Sequence, residues 1–197
     1  LLGLIAIAGM AAAMALNLAA SLVPAGPNAS MAARHSDFDM FHVVARLALE
    51  GRIAEAYDLH AMRAAQVEFG GVPRAMTWTY PPPFDLLLAP LGLLGRNVAY
   101  LLFGGATLAL YLWAVARLAG RHWGIALIGA LPAVVMSLRS GQNGCLTAAL
   151  AALACVAVLS GRPGRAGIPL GLLVVKPHLG LGLGLWAIAT LRWRMAL

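Results

Sequence analysis

"WTYPPPFDLLLAPLG", residues 78–92, is the stretch that decides how the second half of the chain is arranged. It opens a hydrophobic run with three consecutive prolines and carries one acid, Asp85, just inside. Proline fixes its own backbone angle and has no amide proton to donate, so this stretch does not predict an ordinary straight helix. The run 83–117 also exceeds the roughly 20 residues of a single membrane span. We therefore predict an irregular half-helix or re-entrant element at 83–95 and a separate helix at 97–116.

The composition indicates an integral membrane protein. The 197 residues are 61% hydrophobic and 11% charged, with a mean hydropathy of +0.84. A soluble domain of this length has no place to bury so much apolar surface. The apolar runs are long, rich in Ala, Leu and Gly, and do not alternate with polar residues, which favours helices over strands. We predict an all-α, polytopic helical membrane protein.

The chain divides into three parts. Residues 1–24 form a first transmembrane helix, and residues 25–82 form a polar loop with two amphipathic helices, at about 36–50 and 53–69. Residues 83–197 hold further transmembrane helices with short or broken segments, at 124–138, 145–160 and 166–191, the last interrupted at Lys176-Pro177. The chain begins without Met and stops directly after a hydrophobic run, so we expect it to be part of a longer protein.

The charges are segregated along the chain, which predicts its orientation. All seven acids lie between Asp37 and Asp85, and nine bases but no acid follow Asp85. Isolated arginines between apolar runs are typical of cytoplasmic loops, so the net charge of +7 does not indicate nucleic-acid binding. The positive-inside rule then places 25–82, Arg139 and Lys176 on the outer side.

Four unusual stretches share this predicted outer side: "SDFDMFH" (36–42), "TYPPPFD" (79–85), "RSGQNG" (139–144) and "VKPH" (175–178). Taken one at a time, their polar residues have ordinary interpretations as helix caps, interfacial rings, turns or a lysine that reaches a headgroup. Together they combine carboxylates, amides and cations at a membrane-edge cavity, which suits chemistry on a lipid-borne anion. The candidate catalytic residues are Asp37 and Asp39, and the candidate substrate-binding residues are Tyr80, Arg139, Gln142, Asn143, Lys176 and His178.

The order of four motifs resembles glycosyltransferase family 87. These motifs are an Asp-Phe-x-x-Phe pattern after the first span, "YPPPFDLLLAPLGLLG", "GQNG" at the start of a span, and "GIPLGLLVVKPHLGLGL". The family comprises GT-C-class transferases that use polyprenyl-phosphate sugars and includes mycobacterial mannosyltransferases. The resemblance implies a bacterial cell-envelope enzyme in the plasma membrane, with its active site on the extracytoplasmic side, that moves a mannose-like hexose to a lipid or glycan hydroxyl.

The resemblance also implies roles for individual residues. Asp37 starts the family motif and takes the place of the general base, with Asp39 as an alternative. His178 stands where the family pattern usually has Gln after Lys-Pro. An inverting transfer needs one carboxylate to take the hydroxyl proton, and Lys176 and Arg139 are candidates to stabilise the departing phosphate. We expect no cofactor. A divalent metal at Asp37-Phe38-Asp39 is a minor alternative, because a lipid-phosphate donor contains no diphosphate that requires one.

Two other functions fit parts of the pattern. Broken apolar helices with Gly and Pro, here at 166–191, also occur in secondary transporters, although no acid lies in a later span to couple an ion. A non-catalytic membrane scaffold that binds a partner through its outer loop is the second alternative. The partners that we expect are the prenyl-phosphate sugar, its acceptor and membrane lipids, with no nucleic acid.

Overall fold

The computed structural model describes residues 1–22, 37–70 and 77–189. Within these residues the chain is helical and contains no strand, which confirms the all-α prediction for the part described. The helices are, in chain order, α1 (Leu2–Leu22), α2 (Asp37–Leu49), α3 (Leu59–Gly70), α4 (Pro82–Leu88), α5 (Arg96–Ala119), α6 (Trp123–Ser140), α7 (Gly144–Leu159), α8 (Pro163–Leu172) and α9 (Pro177–Ala189). Short 3-10 turns lie at Ile53–Tyr57, Ala89–Leu93, Gly120–His122 and Leu173–Val175.

Two stretches of the described residues are long and apolar enough to cross a membrane. They are Leu2–Ala20, within α1, and Arg96–Ser140, which holds α5, a 3-10 turn and α6. The apolar stretches Pro82–Leu93, Gly144–Leu159 and Pro163–Val175 are shorter. Length and composition of two stretches do not establish several crossings, so the polytopic arrangement stays a prediction. Residues 23 and 24, the end of the predicted first transmembrane helix, lie outside the described part.

The chain forms two compact units. The first unit comprises Ala13–Gly105 and Leu138–Gln142, and the second comprises Leu1–Ala12, Ala106–Ser137 and Asn143–Leu197. The candidate catalytic acids belong to the first unit. Each unit is described by itself below.

Helix α2 is the core helix of the first unit. It follows the predicted range closely, and Phe38, Phe41 and Val44, which recur at helical spacing, are buried. The helix ends at Leu49, close to the predicted end at about residue 50. The φ of +72° at Gly51 lets the N–H of Arg52 bond to an earlier carbonyl of the last turn. Consecutive residues 43–45 are also buried, so α2 packs on several sides rather than along one face.

The second predicted loop helix, 53–69, is two elements instead of one. The 3-10 turn Ile53–Tyr57 ends at Asp58, which adopts an extended conformation before α3 begins. Asp58 Oδ1 accepts hydrogen bonds from the backbone N–H of Ala61 at 2.8 Å and of His60 at 2.9 Å. These bonds, that of Ala61 foremost, lower the pKa of Asp58. Asp caps helices better than it continues them, which explains the break.

The three prolines begin a helix that is too short to cross a membrane. Pro81 is extended, with φ −75° and ψ 156°, and the seven-residue helix α4 follows directly. Pro82 and Pro83 occupy the first turn, where backbone N–H groups have no partner inside the helix in any case. The chain continues as the 3-10 turn Ala89–Leu93 and is extended again at Leu94 before α5 starts. The prediction of an irregular segment at 83–95 and a separate following helix is confirmed.

The 3-10 turn Ala89–Leu93 lies directly against α2. A Cβ atom built on Gly92 would lie 2.7 Å from the Ala45 carbonyl oxygen, so only a glycine allows this approach. One residue beyond the turn, the Leu94 carbonyl oxygen lies 2.9 Å from Nε2 of His42 on α2. The irregular segment is therefore fixed to the helix that carries the candidate acids.

The second unit contains α7, α8 and α9. Helices α7 and α8 pack through Ala154 and Ala166, and Gly161 turns the chain between them with φ +70°. The 3-10 turn Leu173–Val175 follows α8, and α9 begins at Pro177, so the predicted interruption at Lys176-Pro177 is confirmed. Helices α8 and α9 contact each other.

We expect Gly92→Ala to destabilise the protein by about 1–3 kcal/mol, because the new methyl group meets backbone that can shift only by moving α2. The midpoint of thermal unfolding of the purified protein in detergent measures this effect. Gly105→Ala is the matched control, because a Cβ there has no heavy atom within 4 Å. Alanine favours a helix over glycine by up to about 1 kcal/mol, so the control should be neutral or stabilising. Equal midpoints for the two variants would contradict the close approach.

Candidate active site

The candidate base, Asp37, lies at the start of α2 and is partly exposed. The side-chain amide of Gln142 donates a hydrogen bond from Nε2 to Oδ2 of Asp37, across a separation of 105 residues in the sequence. Both residues belong to the first unit. The structure thus brings together two residues that the sequence proposed separately, one as catalytic and the other as substrate-binding.

The second candidate acid, Asp39, is bound by a cation. Arg96 Nε, at the start of α5, donates to Oδ1 of Asp39 at 2.7 Å, and both side chains are only about one fifth exposed. The same guanidinium donates to Oδ1 of Asn97 at 3.1 Å and lies over the ring of Tyr100, 5.8 Å from its centroid. Asp39 therefore ties the first turn of α2 to α5.

Arg96 is a functional candidate that the sequence interpretation missed. The signal available was one base at the boundary between the irregular segment and a long apolar helix. Such a base is typical of a membrane-edge anchor, and its partner lies 57 residues away in sequence.

The turn that carries Gln142 is held by hydrogen bonds to the Leu138 carbonyl. The hydroxyl of Tyr100, which is buried, donates to the Leu138 carbonyl at 2.9 Å, and Asn17 Nδ2 donates to the same oxygen at 3.2 Å. Gly141 adopts φ +69°, and its N–H bonds to that carbonyl at 3.1 Å. This left-handed conformation favours glycine and brings Gln142 to α2.

An aromatic cluster surrounds Phe41 on α2. Tyr80, a predicted substrate contact, is partly exposed and belongs to this cluster, while Trp78 is buried and stacks nearly parallel on Phe84 at 6.0 Å. Edge-to-face contacts of this kind stabilise a core beyond the area that they bury. The rings whose centroids lie 5.3–5.9 Å from that of Phe41 are those of Trp78, Tyr80, Phe84 and Phe103.

Asp85 is a buried acid that holds the aromatic cluster in place. Its Oδ1 accepts a hydrogen bond from Trp78 Nε1 at 2.8 Å, and its Oδ2 accepts one from the hydroxyl of Tyr57 at 2.6 Å. Burial raises the pKa of Asp85, and the two hydrogen bonds partly offset that effect. Burial, followed by the bond to Asp85, raises the pKa of Tyr57 to about 12. The acid inside the proline stretch therefore has a structural role.

The remaining predicted substrate-binding residues are Arg139, Asn143, Lys176 and His178. Arg139 has an exposed side chain, and its carbonyl accepts a hydrogen bond from Asn17. Asn143, Lys176 and His178 belong to the second unit. Lys176 is partly exposed, and His178 is exposed in the first turn of α9. Asp37 and Lys176, both expected at one membrane-edge cavity, belong to different units, and that expectation stays a prediction.

Asn143 differs from the other amide of its motif. Its side chain is fully buried, and among the described residues neither its Oδ1 nor its Nδ2 has a hydrogen-bond partner. Gln142, one residue earlier, is partly exposed and bonded to Asp37. The two amides therefore have different surroundings.

Asp37 and Asp39 were also considered as ligands of a divalent metal ion. In the residues described, no group of three or more His, Cys, Asp and Glu side chains is arranged to hold a metal ion. Asp39, half of the Asp-x-Asp pair considered for a metal, is engaged by Arg96. The pair therefore presents one carboxylate in an ion pair and one bonded to an amide.

Comparison with known proteins identifies one family. A family model described as glycosyltransferase family 87 matches residues 78–197, more than half of the chain. The match begins at Trp78, three residues before the first of the three prolines, and α2 with its two acids precedes it. No curated protein and no solved structure matches the chain.

We expect the Tyr57–Asp85 hydrogen bond to couple the two side chains by about 1.5–3 kcal/mol, since hydrogen bonds to charged groups lie in this range. A double-mutant cycle of Tyr57→Phe and Asp85→Asn measures this coupling through the free energy of unfolding. Glu68→Gln is the control, because Glu68 contacts Arg52 on the surface and should combine with Tyr57→Phe additively, within about 0.5 kcal/mol. If the effects of Tyr57→Phe and Asp85→Asn were additive, the two side chains would not be coupled through this hydrogen bond.

Proposed function

Because the chain belongs to glycosyltransferase family 87 and is therefore a glycosyltransferase, we propose that it transfers a mannose-like hexose from a polyprenyl-phosphate donor to a lipid or glycan hydroxyl, with inversion at the anomeric carbon. The proposed setting is the bacterial plasma membrane, where several helices cross the bilayer and the site faces the extracytoplasmic side. Leu2–Ala20 and Arg96–Ser140, which are long and apolar enough to cross, support the membrane setting.

The observation that carries the mechanism is the different bonding of the two acids. Asp37 is partly exposed and accepts a bond from the neutral amide of Gln142, whereas Asp39 is bound to the guanidinium of Arg96. A nearby cation favours the ionised form of a carboxylate and so weakens it as a base. Asp37 has a neutral amide rather than a cation on its bonded oxygen, and we assign it the role of general base.

The reaction follows from this assignment. As the acceptor oxygen bonds to the anomeric carbon, its proton passes to the Asp37 carboxylate. The bond between the anomeric carbon and the donor phosphate breaks through an oxocarbenium-like state, and its electron pair stays on the phosphate oxygen. Phosphate is a good leaving group, so no second carboxylic acid is needed, and Asp39 is available for its structural role.

The other substrate contacts are part of the same proposal. Tyr80 is partly exposed, and its ring packs against those of Phe41 and Phe84. We propose that this fixed ring contacts a sugar face or a prenyl chain. Lys176 and Arg139 are the proposed cations for the departing phosphate. The proposed mechanism uses no cofactor and no metal.

We expect Asp37→Asn to lower the rate of transfer by about 10²–10⁴-fold, the usual contribution of a positioned base. The assay is incubation of purified full-length protein with polyprenyl-phosphate mannose and an acceptor extract, with mass detection of released polyprenyl phosphate. Asp39→Asn is the matched control. It should lower the midpoint of thermal unfolding, because it leaves Arg96 without its carboxylate, and it should reduce the rate less than Asp37→Asn does. Loss of activity in Asp39→Asn alone would reverse the assignment.

A further inference from the structure

We propose that Gln142 is a positioning residue that holds one oxygen of the Asp37 carboxylate and thereby presents the other to the acceptor hydroxyl. This inference rests on the proposed role of Asp37 as general base. It changes the role expected for Gln142 from a contact with substrate to a contact with the base. The supporting geometry lies entirely within the first unit.

The backbone that carries Gln142 is held by three hydrogen bonds to one carbonyl oxygen. The Leu138 carbonyl, four residues earlier, accepts bonds from Tyr100 and Asn17, and the N–H of Gly141 closes the turn onto the same oxygen. Gly141 is buried and has a positive φ, so the turn has little freedom to change shape. The amide of Gln142 therefore extends from a fixed backbone.

The first turn of α2, which carries Asp37, is held by an ion pair and by a buried ring. Asp39 is paired with Arg96 at 2.7 Å, and Phe38, which follows Asp37 directly, is fully buried. The ring of Phe38 lies 5.5 Å from that of Tyr100 and 5.9 Å from that of Phe103, measured between centroids. These contacts fix the backbone on which Asp37 stands.

Tyr100 takes part in both sets of contacts. Its ring contacts Phe38 beside the base, and its hydroxyl bonds to Leu138 in the turn of Gln142, while the residue is only 1% exposed. One buried side chain therefore sets the separation between the backbone of the base and that of the amide. Such rigid support is what orientation of a catalytic group requires, because a shift of about 1 Å can cost 10²-fold in rate.

The chemistry explains why an amide suits this position. A donor on Oδ2 restricts rotation of the carboxylate and satisfies one oxygen, while a neutral donor does not weaken the base as a cation would. Near the first turn of α2, Asp39 and Arg96 are paired, and Arg139 has an exposed side chain. The other ionisable groups of α2, His42 and Arg46, lie further along the helix. A carboxylate in place of the amide would add a like charge directly against the base.

The test uses two variants of the full-length protein, assayed with polyprenyl-phosphate mannose across a range of pH. Gln142→Ala should lower kcat by about 10- to 100-fold and leave KM within about twofold, because it removes orientation rather than substrate binding. Gln142→Glu should move the acidic limb of the kcat/KM profile upward by about one pH unit or more, because the new carboxylate raises the pKa of Asp37. A merely structural role would not produce this shift.

Ala64→Glu is the control for added charge, because Ala64 is exposed on α3 in the same unit, and its pH profile should match that of the unaltered protein. If Asp37→Asn is inactive but Gln142→Glu leaves the pH profile in place, the positioning role is overturned and the proposed base stands. If Gln142→Ala raises KM and leaves kcat unchanged, Gln142 binds substrate and the inference is wrong. If Asp37→Asn keeps full activity, the proposed base fails and the positioning role fails with it.

Discussion

The packing of the first unit depends on the edge-to-face contacts that the ring of Phe41 makes with its neighbours. This ring lies in the middle of α2 and meets the rings of Trp78, Tyr80 and Phe84 from the proline stretch and of Phe103 from α5. With Phe41 included, the rings come from three separate segments, and edge-to-face packing defines their mutual angles as well as their distance. Because α2 also carries both candidate acids, the aromatic packing locates the chemistry.

The two acids at the start of α2 show how pairing separates the roles of identical groups. Both carboxylates lie in one turn, yet Asp39 is bound by Arg96 and Asp37 by the amide of Gln142. The ion pair holds Asp39 at the start of the helix, whereas an amide orients Asp37 without supplying charge. One turn of helix thus contains both the anchor and the proposed base.

Asp85 gives the proline stretch its physical explanation. A carboxylate buried beside three prolines is costly unless its oxygens are satisfied, and here each oxygen accepts one hydrogen bond from an aromatic side chain, Trp78 or Tyr57. Pro82 and Pro83 occupy the first turn of α4, which needs no backbone donors from them. The prolines, the acid and the rings together hold an irregular segment against α2. The partly exposed Tyr80 is supported by the same arrangement.

Local patterns determined the helical class, the end of α2 near Gly51, the irregular segment at 83–95 and the interruption at Lys176-Pro177, because each depends on residues close in sequence. The ordered motifs were also sufficient to indicate the family that the comparison shows. The break at Asp58 was missed because the capping preference of one residue competes with a helical apolar pattern around it.

Only the tertiary structure decided that Asp39 pairs with Arg96 and that Asp37 accepts a hydrogen bond from Gln142. It also decided that Asp85 accepts hydrogen bonds from Trp78 and Tyr57. The contacts with Arg96, Gln142 and Tyr57 join residues 57, 105 and 28 positions apart in the chain. No local periodicity encodes such pairings. They arise when packing brings distant polar groups out of water, where each must find a partner.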